Sequence, residues 1–190
     1  MNITLFGGSF NPPHIGHQLV MTQAFELIPQ LKTIWLLLDY QHSFPNKPKL
    51  APVNHRLAMT KMLENHQIKT QTCAIDQKMT GNTIDHLTYL QKKYPQHQFS
   101  FLMGSDNLPS FTQWPQWQKL LSLIPFYIYP RVGFPLKPLH KNMQPLEHPL
   151  QIITNISSTM VRKRLKAKLT TKHLMPQPVE KYIQKQKLYL

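Results

Sequence analysis

Gly7-Gly8-Ser9-Phe10-Asn11-Pro12-Pro13-His14-Ile15-Gly16-His17 follows directly on the apolar run from Asn2 to Phe6. That run has the length and composition of a buried strand, and the paired glycines end it. Beyond the prolines, Leu19, Val20, Ala24, Phe25, Leu27 and Ile28 recur at helical spacing before Pro29, so a helix begins near Ile15. Strand, glycine turn and helix make the opening unit of an α/β fold. Gly7 and Gly8 let backbone N–H groups approach a ligand closely. A helix start adds unpaired N–H groups and the positive end of its dipole. His14 and His17, three residues apart, face one side there, and Gly16 leaves room for a phosphate between them. The stretch reads as an anion site with two imidazole donors. Either histidine alone reads more readily as an ordinary capped or buried side chain. A two-histidine metal site lacks an obvious carboxylate or cysteine third ligand.

Working outward, strands are expected at 32–38, 68–75, 99–103, 126–129 and 150–154. Helices are expected at 53–65, 83–94 and 115–123, then from near Thr159, and again over 176–189. Residues 132–149, with Gly133 and Pro135, Pro138, Pro145 and Pro149, read as a long loop. This alternation predicts an α/β fold: a Rossmann-like, doubly wound parallel sheet with helices on both faces. A small C-terminal helical segment at about 159–190 completes a single domain over 1–190. Ligands on such a sheet bind at the carboxyl ends of its strands, where strand order reverses.

The chain has 190 residues, 22 Lys and Arg against 8 Asp and Glu, and a net charge of +14. At that length a core forms without staples. Cys73, the single cysteine, excludes an internal disulfide framework and zinc sites built from several cysteines. The first residues lack the basic and apolar stretches of a secretory signal, and Ile34 to Leu38 is too short to span a bilayer. A cytoplasmic protein without membrane contact is expected. Residues 131–190 carry 12 Lys and Arg against Glu147 and Glu180. Such an excess attracts anions, although lysine-rich surfaces are also often simply solvated. Only Arg56, Arg131, Arg162 and Arg164 are arginines, and bidentate phosphate recognition favours that residue.

Two further constellations carry chemistry. Ser157-Ser158-Thr159 can cap a helix and leave N–H groups for phosphate oxygens, with Arg162 one turn further on. Gly104-Ser105-Asp106 ends a buried strand and places a carboxylate in the expected crevice, where it can accept from ribose hydroxyls. Asp106 is one of four aspartates, and a helix-capping role is its plain alternative.

The first stretch resembles the G-G-[ST]-F-[DN]-P-x-H-x-G-H signature of the nucleotidyltransferase superfamily, and Ile156 to Arg162 resembles its I-S-S-T-x-[VI]-R motif. The whole chain is most similar to the bacterial nicotinate-nucleotide adenylyltransferases. Pro45-Asn46-Lys47-Pro48, Arg56-x-x-Met59, Gly104-x-Asp106 through Trp114, Pro130-Arg131-x-Gly133-Phe134-Pro135 and the tail from Leu174 to Tyr189 carry that likeness. Asn11 stands where an acidic residue is common, Leu38-Asp39-Tyr40 where Pro or Ser is frequent, and Pro115 where an aromatic can occur.

The resemblance implies adenylyl transfer from ATP to nicotinate mononucleotide, giving deamido-NAD and pyrophosphate. It implies His14, His17 and Arg162 as the catalytic set. Gly7, Gly8, Ser9, Phe10, Gly16, Lys47, Gly104, Asp106, Arg131, Ser157, Ser158 and Thr159 would bind ATP. Thr83 and Trp114 would meet the acceptor. Mg²⁺ would be held mainly by ATP phosphates and water, with no protein metal site. Nicotinamide mononucleotide or phosphopantetheine are rival acceptors. A basic nucleic-acid-binding protein on a retired scaffold is a rival of another class, against which the intact motifs argue. The same reading allows a homo-oligomer.

Overall fold

The computed structural model describes residues 1–41, 50–79 and 81–189. Six parallel strands form one sheet in the order β3-β2-β1-β4-β5-β6. They are β1 (Asn2–Gly8), β2 (Thr33–Leu38), β3 (Ile68–Gln71), β4 (Gln98–Gly104), β5 (Phe126–Tyr129) and β6 (Met143–Pro145). The helices are α1 (Ile15–Leu27), α2 (Val53–Lys61), α3 (Cys73–Asp76), α4 (Thr83–Lys93), α5 (Trp117–Leu123), α6 (Ser158–Lys166) and α7 (Gln177–Gln186). A 3₁₀-helix, Ser105–Gln113, leaves the end of β4.

Strands covered on both faces read as near-continuous apolar runs, and β1 and β2 do so. Alternate residues of β2 then serve two cores. Trp35 and Leu37 pack with Ile84, Leu87 and Leu90 of α4. Ile34, Leu36 and Leu38 pack with Val20, Met21 and Ala24 of α1. A third cluster, Met59, Val161, Met175, Val179 and Ile183, joins α2 to the C-terminal helices. β1 pairs with β2 on one side and β4 on the other, so the order reverses between β1 and β4. That reversal opens a crevice at the carboxyl ends of the strands.

The expected parallel sheet and its two helical faces are present, with local differences. Ile68 to Ile75 does not continue as a strand, because α3 begins at Cys73. The helix expected over 53–65 ends at Lys61. The 3₁₀-helix takes the chain from 105 to 113, and the helix expected over 115–123 starts only at Trp117.

The edge strand β6 lies inside the stretch read as loop, while 150–154 is not a strand. The backbone of Ile152 finds other partners there. Its N–H donates to Gln23 Oε1 at 2.7 Å, and its carbonyl accepts from Gln23 Nε2 at 3.1 Å and Tyr129 O–H at 2.6 Å. A buried glutamine side chain thus replaces the ladder of a neighbouring strand. Leu150, Ile152 and Ile153 face solvent, which the β-branched pattern alone did not reveal.

Candidate active site

A crevice of about 550 Å³ opens over the ends of β1, β2 and β4. Gly7, Gly8 and Gly104 lie in it. His14, Gly16 and His17 at the start of α1 and Ser157 and Ser158 at the start of α6 line it, as do Thr83 at the start of α4, Gly81 and Asn82 before it, Trp114, and Asp39 after β2. A Cβ on Gly7 would come within 2.8 Å of the Phe101 ring, so this strand end admits no larger residue without repacking.

The two histidine rings lie against each other, centroids 3.8 Å apart and planes tilted by 34°. His14 is the N-cap of α1, and its backbone N–H donates to His17 Nδ1 at 3.1 Å. That bond makes Nδ1 of His17 an acceptor, so its neutral ring carries the proton on Nε2. The His17 ring is backed by Phe10, centroids 4.9 Å apart. His14 Nδ1 is buried with no hydrogen-bond partner among the described residues. Burial lowers the pKa of both rings, and the nearby Arg131 guanidinium lowers it further. His14 also feels His17. His17 is lowered to about 3. Both are therefore neutral N–H donors at physiological pH. Gly16 is required by packing: a Cβ there would meet His14 Nδ1 at 2.9 Å and the Ile156 carbonyl at 3.2 Å.

Ser105, fully buried, organises the end of β4. Its Oγ accepts from the Arg131 N–H at 2.9 Å and donates to the Phe134 carbonyl at 2.8 Å. The Arg131 side chain then turns back over Gly104. Its Nε lies 3.9 Å from Asp106 Oδ1, and its Nη2 is 3.4 Å from the Ile156 carbonyl. A Cβ on Gly104 would overlap Asp106 Oδ1 and crowd Arg131 Cγ at 3.0 Å. Glycine at 104 is what lets both charged side chains fold across the strand end.

The loop between Ser9 and His14 is fixed from four directions. Ser158 Oγ donates to the Pro12 carbonyl at 2.8 Å. Arg162 Nη1 donates to the Asn11 carbonyl at 2.7 Å, and its Nη2 to Thr159 Oγ1 at 3.2 Å. Tyr189 O–H donates to Asn11 Oδ1 at 2.7 Å; burial pushes that phenol's pKa up and keeps it a donor. The Ile15 N–H reaches the Leu174 carbonyl at 3.0 Å. Ser157 caps α6, its Oγ accepting from the Met160 N–H at 3.2 Å. These bonds set the starts of α1 and α6 side by side.

Of the site residues expected from sequence, the crevice brings together Gly7, Gly8, Ser9, His14, Gly16, His17, Thr83, Gly104, Asp106, Trp114, Arg131, Ser157 and Ser158. Phe10, Thr159 and Arg162 stand behind its wall. Phe10 is buried against Phe6 and His17. Arg162 grips the loop while Arg131 faces the histidines. Lys47 lies outside the described residues.

Two polar residues come from the structure. Asp39, directly after β2, lines the crevice beside Ser9, whose Oγ donates to Asp39 Oδ2 at 3.3 Å. Its place at a strand's carboxyl end, as one of four aspartates, is the sequence signal that marks it. Arg56 is buried, and its guanidinium donates to the carbonyls of Ala51, Ser9, Asp39 and Tyr40 at 2.7–3.1 Å. A single arginine thereby ties the signature loop to the end of β2 and the start of α2.

The cytidylyltransferase-like family matches residues 5–164 of this chain. A Cytophaga hutchinsonii protein described as "Probable nicotinate-nucleotide adenylyltransferase" is 32% identical, over 100% of this chain and 98% of its own length. A Salinibacter ruber protein of the same description is 31% identical over 100% and 98%. Among solved structures, the Plasmodium falciparum nicotinic acid mononucleotide adenylyltransferase complexed with APC superposes with a TM-score of 0.78 at 22% identity, covering 99% of this chain and 96% of that one. The same enzyme complexed with NaAD gives 0.74 at 23% identity, covering 99% and 97%. The signature loop, the two helix starts and these likenesses agree: the chain belongs to the cytidylyltransferase-like family, among the nicotinate-nucleotide adenylyltransferases.

Proposed function

We propose that this protein transfers the adenylyl group of ATP to nicotinate mononucleotide, releasing deamido-NAD and pyrophosphate. A phosphate oxygen of the acceptor attacks the α-phosphorus, and the bond to the bridging oxygen of the departing pyrophosphate breaks. A phosphate monoester is already ionised at neutral pH, so the step needs no general base and no protein nucleophile. The observation that carries the proposal is the neutral His14–His17 pair at the start of α1, lining a crevice beside the start of α6.

Catalysis here is positioning plus charge stabilisation. His17 Nε2–H donates to a phosphate oxygen and needs no protonation to do so. Arg131, Ser157 and Ser158 receive the triphosphate between the two helix starts. Arg162 sets the spacing of those starts through Asn11. Asp106 accepts from the ATP ribose. Among the described residues no three His, Cys, Asp or Glu form a metal-binding group. Mg²⁺ would enter as a companion of the ATP phosphates, held mainly by them and by water, and would neutralise charge on the triphosphate.

On the other side, the start of α4 offers N–H groups to an anion at Thr83, and Trp114 presents a ring for the pyridine. A ring carboxylate is favoured there, so nicotinate mononucleotide is preferred to nicotinamide mononucleotide. Cytoplasmic location goes with this reading; no helix among the described residues is long and apolar enough to cross a membrane.

Pyrophosphate release with ATP and each of nicotinate mononucleotide, nicotinamide mononucleotide and phosphopantetheine tests the proposal. The expected result is turnover with the first at the highest kcat/KM. Equal values for the two pyridine nucleotides remove the carboxylate argument, and no turnover with either contradicts the function. Tight, steeply salt-dependent nucleic-acid binding without turnover would favour the retired-scaffold reading.

A further inference from the structure

We infer that Asp39 binds the acceptor, reading the ribose hydroxyls of the nucleotide that receives the adenylyl group; this rests on the adenylyl transfer proposed above. Asp39 begins where β2 ends. Its N–H donates to the Gly8 carbonyl at 3.2 Å, and its carboxylate accepts from Ser9 Oγ at 3.3 Å. The β2 alternation assigns its side. Leu36 and Leu38 pack toward α1, Trp35 and Leu37 toward α4, so the next residue turns to the α4 side. Asp39 therefore shares the α4 side of the sheet with Thr83 and Trp114, which line the same crevice.

Charge then selects the ligand atoms. Both substrates carry phosphate, and a carboxylate repels it. The part of a ligand resting against Asp39 must donate hydrogen bonds, and ribose hydroxyls are the donors every nucleotide carries. The two carboxylates that line the crevice, Asp39 and Asp106, stand after β2 and β4, one on each side of β1. Two substrates bring two riboses. Asp106 lies beside Arg131 and the triphosphate side, which leaves Asp39 for the acceptor. An acidic residue at the end of the second strand serves a ribose in dinucleotide-binding sheets as well.

Steady-state kinetics of the full chain test this, with nicotinate mononucleotide and its 2′-deoxy- and 3′-deoxyribose analogues as acceptors. The parent protein is expected to favour the ribonucleotide. Asp39→Asn should raise the acceptor KM about 10- to 100-fold, the range for a lost bond to a charged group. The ATP KM should stay within about twofold, and the preference for the ribonucleotide should collapse. A merely structural role would raise both KM values and leave that preference intact. Equal kcat/KM for ribose and deoxyribose acceptors in the parent overturns the inference without any variant. So does an unchanged preference in Asp39→Asn, or a rise in the ATP KM alone. A parent that turns over no pyridine nucleotide at all contradicts the proposed function instead.

Discussion

The α1 side of the crevice and the α4 side differ in how their polar groups are held. On the α1 side the groups behind the wall are committed to the protein itself: Arg162 to the Asn11 carbonyl and Tyr189 to the Asn11 side chain, while the hydroxyl of Ser158, at the crevice edge, is held by the Pro12 carbonyl. What reaches the crevice is a pair of uncharged imidazoles, with Arg131 beyond them. On the α4 side the helix start and an aromatic ring are presented with one oriented carboxylate, and Trp114 packs T-shaped with Phe101 and tilted against Phe111. In the function proposed above, one side would serve as a fixed frame for a polyanion and the other as a shaped surface for a smaller nucleotide. A triphosphate offers many equivalent oxygens, so its site must fix geometry. The acceptor must be told from its relatives, so its site must fix identity.

The largest expected effect breaks the first side. His17→Ala removes a donor to the transition state and should cut kcat by about 10²–10⁴-fold, while the acceptor KM changes little. Turnover near the parent's value in a folded variant contradicts the role.

Next comes the tie that both sides share. Arg56→Ala leaves the carbonyls of Ser9, Asp39, Ala51 and Tyr40 without their donor in a buried place. A loss of roughly 3 kcal/mol or more in denaturant unfolding is expected. A midpoint shift equivalent to under about 1 kcal/mol would show that solvent reaches these carbonyls.

Arg162→Lys sharpens the comparison. A lysine keeps the charge but cannot bridge Asn11 and Thr159 together. ATP use should weaken by roughly 1.5–3 kcal/mol in kcat/KM, together with a lower Tm. An unchanged Tm with a raised ATP KM would put the fork on the phosphates directly. Arg164→Ala, which removes an Nε that donates to the exposed Thr170 carbonyl, should change either quantity far less.

A separate effect, on stability alone, is in pH. The folded pKa values of His14 and His17 lie below the unfolded value of 6.5, so the unfolded chain binds more protons below that pH. Stability is therefore full above about pH 6.5 and declines as pH falls toward 3. Thermal melts from pH 7.5 to 5 should show that decline, and His17→Gln should flatten it. A melting temperature insensitive to pH across that range would show the rings exposed.

The α1 side was legible in sequence because its signals are local. A strand, two glycines and an H-x-G-H helix start are contiguous, and Ser157 to Arg162 is a single helical turn. The partners that hold them are not contiguous. Asn11 meets Arg162 and Tyr189, and Ile15 meets Leu174, only because α6 and α7 fold back over α2. The resemblance implies a ligand role for Arg162; in the structure its fork donates to Asn11 and Thr159, and Arg131 is the arginine whose charge acts on the histidines. The strand expected at 150–154 failed for a related reason. Its pattern suits a ladder, and only the tertiary structure supplies Gln23 in place of one. Asp39 carries no motif; it acquires meaning from the alternation of β2 and from the crevice above it.

The division of the crevice into two sides is tested most directly by one nuclear magnetic resonance titration with two reporters, the His17 ring and the Trp114 indole, assigned through His17→Gln and Trp114→Phe. A non-hydrolysable ATP analogue with Mg²⁺ should move the His17 Nε2–H signal and leave the Trp114 indole in place. Nicotinate mononucleotide alone should move the indole and leave the imidazole. Responses of both reporters to both ligands, or the reverse assignment, would contradict the account.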